Sequence, residues 1–335
     1  MKAITYHRSG PAAVLALTER ARPLPGKGEV RVAVKVSGVN PTDWKARKNT
    51  APDGEKVPNQ DGAGVIDAVG EGVDEARLGE RVWLWEAAWS RLDGTAQEYV
   101  ALPARQAVPL PPEASFDLGA SLGIPALTAH RALTVADGGP EQLAPGVLAG
   151  RTVLVSGGAG AVGNAAIQLA RWAGATVLTT VSSPEKAALA AAAGAHHTVD
   201  YRTQDAAAVI RELAPDGVHV VVEVAPAANA ALAARVAAPD AVIAFYANDA
   251  ESAAVPTFPS MGRNLRWQGV LVYTVSAAAK DAAVAAVSAA VADGAFRVGA
   301  EAGLPLHRFP LERTADAHDA VEGNVVGKVL VDVAS

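Results

Sequence analysis

Apolar residues recur along this chain with two different periods. Up to about residue 110 they fall at alternate positions in short runs broken by Gly and Pro: MKAITYH, EVRVAVKVSGV from Glu29, GAGVIDAVG from Gly62, ERVWLW from Glu80 and AQEYVAL from Ala96. A period of two predicts half-buried strands and a β-rich, barrel-like region. From Phe116 helical spacing takes over in SFDLGASLGIPALTAHRALTVA, with Pro125 expected to break the helix. From Arg151 four apolar, β-branched runs (RTVLVSG, ATVLTTV, VHVVVEVA and AVIAFY) alternate with Ala-rich helical stretches. Strands apolar on both faces and separated by helices predict a doubly wound parallel sheet. After Leu265 the pattern predicts an apolar edge strand, WQGVLVYTV, then helices in AAAKDAAVAAVSAAVADG and TADAHDAVEG, and a closing strand KVLVDVA. The expected class is α/β, with a β-rich domain over 1–124 and a nucleotide-binding unit over 125–266. Residues 267–335 then supply an edge strand and a return to the first domain.

Composition narrows the function more than the fold. A chain of 335 residues, 50% apolar and 19% charged, buries a full core without disulfide or metal staples. No apolar run reaches the length of a membrane span without a charge or a turn residue, so no membrane partner is expected. The net charge is −6 and no Lys/Arg cluster stands out, which leaves no footprint for nucleic acid. A small neutral or anionic ligand in a local pocket fits better. The N-terminus has neither a basic segment nor an apolar one of signal-peptide type, so a cytoplasmic location is expected. With no cysteine, thiolate nucleophiles, disulfides, Fe–S clusters and thiolate zinc sites are all excluded. The absence of a GxSxG elbow disfavours a hydrolase.

The strongest motif follows the run RTVLV. Gly158, Gly160 and Gly163 satisfy GxGxxG between a predicted strand and the predicted helix NAAIQLARWAGA, with Ala161 and Val162 at the helix opening. In this context the first Gly permits a tight turn. The second lets backbone N–H groups approach a pyrophosphate, and the third lets the helix sit close on the strand, its N-terminus adding partial positive charge. An NAD site places Asp or Glu at the end of the next strand, on the ribose 2′-OH. Here ATVLTTV ends in Ser182-Ser183-Pro184, with no acid before Glu185, which argues for a 2′-phosphate and hence NADPH. Ser183 reads as an N-cap with Pro184 at the first helical position. Lys186 in that first turn is an electrostatic misfit unless an anion offsets it, so Lys186 and Ser182 are the phosphate candidates.

Taken in order, SGVNPTDWK, PNQDGAGVIDAVGEGV, VSGGAGAVGNAAIQLAR and SSPEKAALAAAAGAHHTVDYR resemble the zinc-free quinone oxidoreductases of the medium-chain dehydrogenase/reductase superfamily. The resemblance implies a GroES-like catalytic domain joined to a Rossmann domain, with the active site in a cleft. Zinc-containing members place Cys and His where Asn40 and Gln60 stand here, so no metal is expected. By the same resemblance Asn40 and Asp43 orient the ligand, although Asn40-Pro41 reads equally as a plain helix start with Asn40 capping and Asp43 complementing the dipole. Thr128 resembles the threonine facing the nicotinamide, against a reading as a helix-cap hydroxyl. Tyr201 resembles the residue that brackets the 2′-phosphate with the lysine, and Lys328 a basic residue near the cofactor. Phe245, Tyr246 and Leu271 fall at carboxyl ends of predicted strands, where ligands of such sheets bind.

The chemistry implied is hydride transfer from NADPH to a quinone or small enone. Reduced quinones take protons from water, and the sequence supplies no evident proton donor. An enoyl or alkenal double-bond reductase is the nearest alternative, and an NADPH-binding structural or regulatory protein without useful turnover is the alternative of another class. Trp83, Trp85 and Trp89 could stack a flat acceptor or form one face of a core strand. The edge strand WQGVLVYTV, apolar along its length, points to a homodimer pairing that edge with its two-fold mate.

Overall fold

A computed structural model describes residues 1–333 of the chain. In order the elements are β1 (Lys2–Thr5), β2 (Ala16–Glu19), β3 (Glu29–Val39), α1 (Pro41–Asn49), β4 (Asp61–Val69), β5 (Arg81–Leu84), β6 (Tyr99–Pro103), β7 (Ala107–Pro109) and α2 (Phe116–Leu133). There follow β8 (Thr152–Ser156), α3 (Ala161–Trp172), β9 (Thr176–Val181), α4 (Pro184–Ala192), β10 (His197–Asp200), α5 (Ala206–Leu213), β11 (Val218–Glu223) and α6 (Pro226–Val236). The remainder is β12 (Ala237–Phe245), α7 (Thr257–Gly262), β13 (Arg266–Gly269), α8 (Ala277–Ala292), β14 (Leu306–Pro310), α9 (Thr314–Glu322) and β15 (Lys328–Asp332). Contacts divide the chain into two units, residues 1–124 with 306–335, and residues 125–305.

The first unit is organised by β3. This long strand of alternating valines pairs antiparallel with β4 along most of its length, with β6 at residues 29–33 and with β15 at residues 36–39. Two register shifts bend it, which lets three partners share one strand. The sheet order is β14-β15-β3-β4-β5-β7, so the last strands of the chain extend a sheet begun near its start. Val30, Val32, Val34, Val82, Leu84, Leu102, Val329 and Val331 interdigitate in its core. Trp83 and Trp85 are 1% and 2% exposed, so of the three tryptophans only Trp89 reaches the surface. The first two are core residues.

The second unit is the doubly wound sheet, six parallel strands in the order β10-β9-β8-β11-β12-β13, the sequence order of the strands reversing between β8 and β11. Leu154, Leu178, Val199, Val221 and Ile243 stack along the strands and meet Ile210 and Val236 of the helices. Such all-round apolar strands are stable only when covered on both faces.

Two expectations from the pattern are corrected. Pro125 does not break its helix, since α2 runs through it. The N–H of Ile124, one residue earlier, is turned aside to the Asp61 carboxylate at 2.9 Å, so the ladder has already opened where proline lacks a donor. The edge strand is also shorter than WQGVLVYTV. Only Arg266–Gly269 is strand, with Arg266, Gln268 and Gly269 exposed, after which Val272–Thr274 fold into a 3-10 turn that buries Val272 and Tyr273. Turning back removes apolar side chains from an open edge that would otherwise display them.

The close approach of α2 to Asp61 depends on Gly123, where a Cβ would lie 2.0 Å from Asp61 Oδ1. Gly123→Ala should therefore destabilise the protein by about 1–3 kcal/mol, the usual cost of overpacking, read as a lower urea midpoint at an unchanged slope.

Candidate functional site

At the carboxyl end of β8 the chain turns through Gly157, which takes the left-handed conformation (φ +71°). The tight turn expected of Gly158 is thus made one residue earlier. Gly158 is required for another reason: its N–H donates to Thr179 Oγ1 at 3.1 Å, and a Cβ there would lie 2.3 Å from that oxygen. Gly163 packs against the loop, since a Cβ would come within 2.4 Å of the Gly157 carbonyl. Gly160 differs from both, because a Cβ there would meet only an ordinary contact at 3.5 Å. The backbone there is open and exposed.

Helix termini in this unit are capped selectively. Ser183 caps α4, Asp205 caps α5 and Ser276 caps α8, while Asp249 accepts from Ala227 and Ala228 N–H at the start of α6. The start of α3 has no side-chain cap and no acid in its first turn. The N–H groups of Ala161, Val162 and Gly163 thus meet no side-chain acceptor among the described residues. Uncapped N–H groups beside an open glycine suit an anion such as a pyrophosphate.

The next strand end supplies a cation. Lys186 Nζ donates to Ser182 Oγ at 3.0 Å, while Ser183 Oγ accepts from the Lys186 N–H at 3.3 Å. In β10 Asp200 lies opposite Val181 and the following Tyr201 bonds its N–H to the Val181 carbonyl, so Tyr201, 52% exposed, stands beside Ser182 at the sheet edge. Ser182 and Lys186 thus come together, and Tyr201 is tied by its backbone to the residue before Ser182. On the far side of the strand reversal Phe245 ends β12 with its ring against Gly269, and Leu271 is exposed just beyond β13. Tyr246 donates its N–H to the Glu223 carbonyl, and burial together with the Glu223 charge pushes its hydroxyl pKa up. Thr128 is buried on α2.

In the first unit Asn40, Asp43 and Lys328 meet around a residue that the sequence reading passed over, Asp61. Asn40 Nδ2 donates to Asp61 Oδ2 at 2.7 Å, and Lys328 Nζ donates to Asn40 Oδ1 at 2.7 Å and stands 3.5 Å from Asp61 Oδ2. The Asp43 carboxylate accepts from the Asn40 N–H at 2.7 Å, so the helix-start reading of this pair holds as well. All four side chains are buried. Lys328 spends its ammonium inside this cluster. The signal for Asp61 was present in the sequence as an acid opening a largely apolar strand, DGAGVIDAV, whose other acid, Asp67, pairs with Arg31.

These residues do not fit a zinc ion. Both ends of the Asn40 amide are engaged, Gln60 Oε1 accepts from the Ala88 N–H, and no metal-holding group of His, Cys, Asp and Glu occurs among the described residues. One cation faces two carboxylates, and the excess falls on Asp43: burial first, then the neighbouring Asp61 charge, push its pKa up to about 7. Protonated Asp43 therefore stabilises the fold fully below the unfolded pKa of about 4, and that contribution is lost as pH rises toward 7. Asp43→Asn mimics the protonated carboxyl. The wild type should lose on the order of 2 kcal/mol relative to this variant between pH 5 and pH 8, measured by urea denaturation. A difference constant over that range would show that the carboxyl titrates normally.

Similarity to known proteins follows the same division. The profile of the alcohol dehydrogenase GroES-like domain matches residues 26–112, and that of the zinc-binding dehydrogenase family matches residues 161–290, together more than half of the chain. Quinone oxidoreductase of Rattus norvegicus is 34% identical over 228 residues, 67% of this chain and 66% of the rat protein, just under two thirds of that relative's length. Among solved structures, an NAD-dependent alcohol dehydrogenase superposes with a TM-score of 0.84 at 28% identity over 100% of both chains. A mycobacterial protein complexed with NADPH superposes with a TM-score of 0.80 at 27% identity over 99% of each. With a GroES-like domain, a Rossmann sheet and these relatives, the chain belongs to the medium-chain dehydrogenase/reductase superfamily.

Proposed function

We propose that this protein is a zinc-independent, NADPH-dependent oxidoreductase acting on a quinone or a small enone. The observation that carries the reading is the carboxyl end of β9, where Ser182 and Lys186 join in one hydrogen bond and the strand itself ends without the acid that would hold a ribose 2′-OH. Lys186 and Ser182 would hold a 2′-phosphate, with Tyr201 beside it. The N–H groups opening α3 would hold the pyrophosphate, and Phe245, Tyr246, Leu271 and Thr128 would line the nicotinamide side. The cofactor supplies hydride chemistry when bound. The chain's own part is to orient the ring and acceptor and to exclude water from between them. Asn40, held rigid by Asp61 and Lys328, and Asp43 are the candidates for orienting the acceptor. A quinone suits a chain whose sequence motifs offer no evident proton donor, because its reduced form takes protons from water, and the rat relative's name points the same way.

The alcohol dehydrogenase relative uses NAD, so cofactor choice is the decisive test. In a fluorescence titration NADPH should bind at least about tenfold more tightly than NADH, and equal dissociation constants would remove the basis of the reading. Lys186→Glu should cost about 1.5–3 kcal/mol of NADPH binding, the range for a charge-assisted hydrogen bond, and leave NADH nearly unchanged. Turnover of NADPH with a quinone panel should survive exhaustive chelation; loss of turnover restored by zinc would contradict the metal-free reading.

A homodimer through the open edge of the parallel sheet belongs to the same proposal. What supports it is α7, packed beside β13 through a Trp267 to Ser260 hydrogen bond, with Phe258 and Met261 80% and 71% exposed. Light scattering should give about twice the 34.0 kDa of one chain, falling to a single chain for Phe258→Asp.

A further inference from the structure

One buried acid in the second unit, met above only as a neighbour of Tyr246, has no part in the proposed function. Glu223 ends β11, directly across the strand reversal from β8, and is 1% exposed. Its Oε2 accepts from Ser156 Oγ at 2.7 Å, the last residue of β8 before Gly157. Its Oε1 accepts from the Ala225 N–H at 2.6 Å and from Asn229 Nδ2 at 2.9 Å. All three donors are neutral, and no lysine or arginine pairs with it among the described residues. A carboxylate kept out of water is costly unless a cation or several donors compensate it, and here only the donors are present. They also hold it at the reversal point of the sheet, where ligands of open parallel sheets bind.

We propose that the Glu223 carboxylate sets the redox preference of this crevice, favouring the cationic, oxidised nicotinamide ring over the neutral, reduced one. The inference rests on the cofactor reading above. Hydride delivery carries both electrons of a C–H bond to the acceptor and leaves one positive charge on the ring. A fixed negative charge nearby stabilises that product state and leaves the neutral state almost untouched. The same carboxylate fixes the geometry of the crevice, through Ser156 at the glycine loop, Ala225 and Asn229 at the start of α6, and its own carbonyl on the Tyr246 N–H. Glu223 is thus a positioning residue whose charge has a separate effect from its hydrogen bonds.

The two effects separate experimentally. Dissociation constants of NADP+ and NADPH are measured by calorimetry for the full chain, Glu223→Gln, Ser156→Ala and Asn229→Ala. Glu223→Gln removes the charge and keeps the shape. It should weaken NADP+ about fivefold or more beyond any change in NADPH, the order expected for unit charges interacting in partly dry protein. Ser156→Ala and Asn229→Ala keep the charge, so both cofactor forms should weaken together and the ratio of the two constants should stay within about twofold. If Glu223→Gln does not fold, Ser156→Ala/Glu223→Met, which removes the charge together with one of its three donors, carries the same expectation. An unchanged ratio in the charge-free variant, with the wild type binding both forms, overturns the inference alone. A wild type that binds neither form overturns the cofactor reading beneath it.

Discussion

Asp61 is the residue on which the first unit turns. One carboxylate oxygen takes the N–H of Ile124 and the other takes the Asn40 amide and faces Lys328, so a single side chain links β4 to α2, α1 and β15. A buried carboxylate with these partners is expensive to unpair, because removing any one leaves charge or donors without compensation. Its cost is offset only when all four elements are in place. The passage of α2 through Pro125, the start of α1 and the seating of the last strand are therefore one constraint expressed at three places.

The second unit is governed by a different economy, that of backbone donors. Each longer helix following a strand ends its N-terminal N–H groups on a side chain, drawn from its own cap or, in α6, from Asp249 in the loop after β12. The helix after the glycine loop is the exception, and its free donors lie where the glycines keep side chains away. An anion site here is made as much by what its neighbours satisfy as by what this helix leaves open.

Much of this was legible in the sequence because it follows from local rules. The eleven-residue run of alternating valines is β3 from end to end, and the apolar runs after Arg151 are the inner strands of the parallel sheet. Ser183 with Pro184 marked a helix start that the structure has. What stayed hidden depends on pairings between distant residues. The path of α2 through Pro125 needs Asp61, 63 residues away from Ile124, to take the displaced donor. The edge strand was overestimated because apolar content does not say whether a segment pairs or folds back to bury itself, as Val272 and Tyr273 do. Glu223 was a lone acid closing an apolar run, and Asp61 one of two acids in β4. Their weight appears only once their partners are known.

The last strand also orders events in time. Val329 pairs with Val39 and Lys328 reaches Asn40, so the sheet begun by β3 lacks a neighbour, and Asp61 its cation, until residues 306–333 have been made. The parallel sheet, in contrast, draws all its strands from one continuous stretch. During synthesis at several residues per second, a nascent chain holds its second unit's strands complete while the edge of β3 and the carboxylates beneath it wait open to solvent. The unit translated first is therefore the one that must finish last.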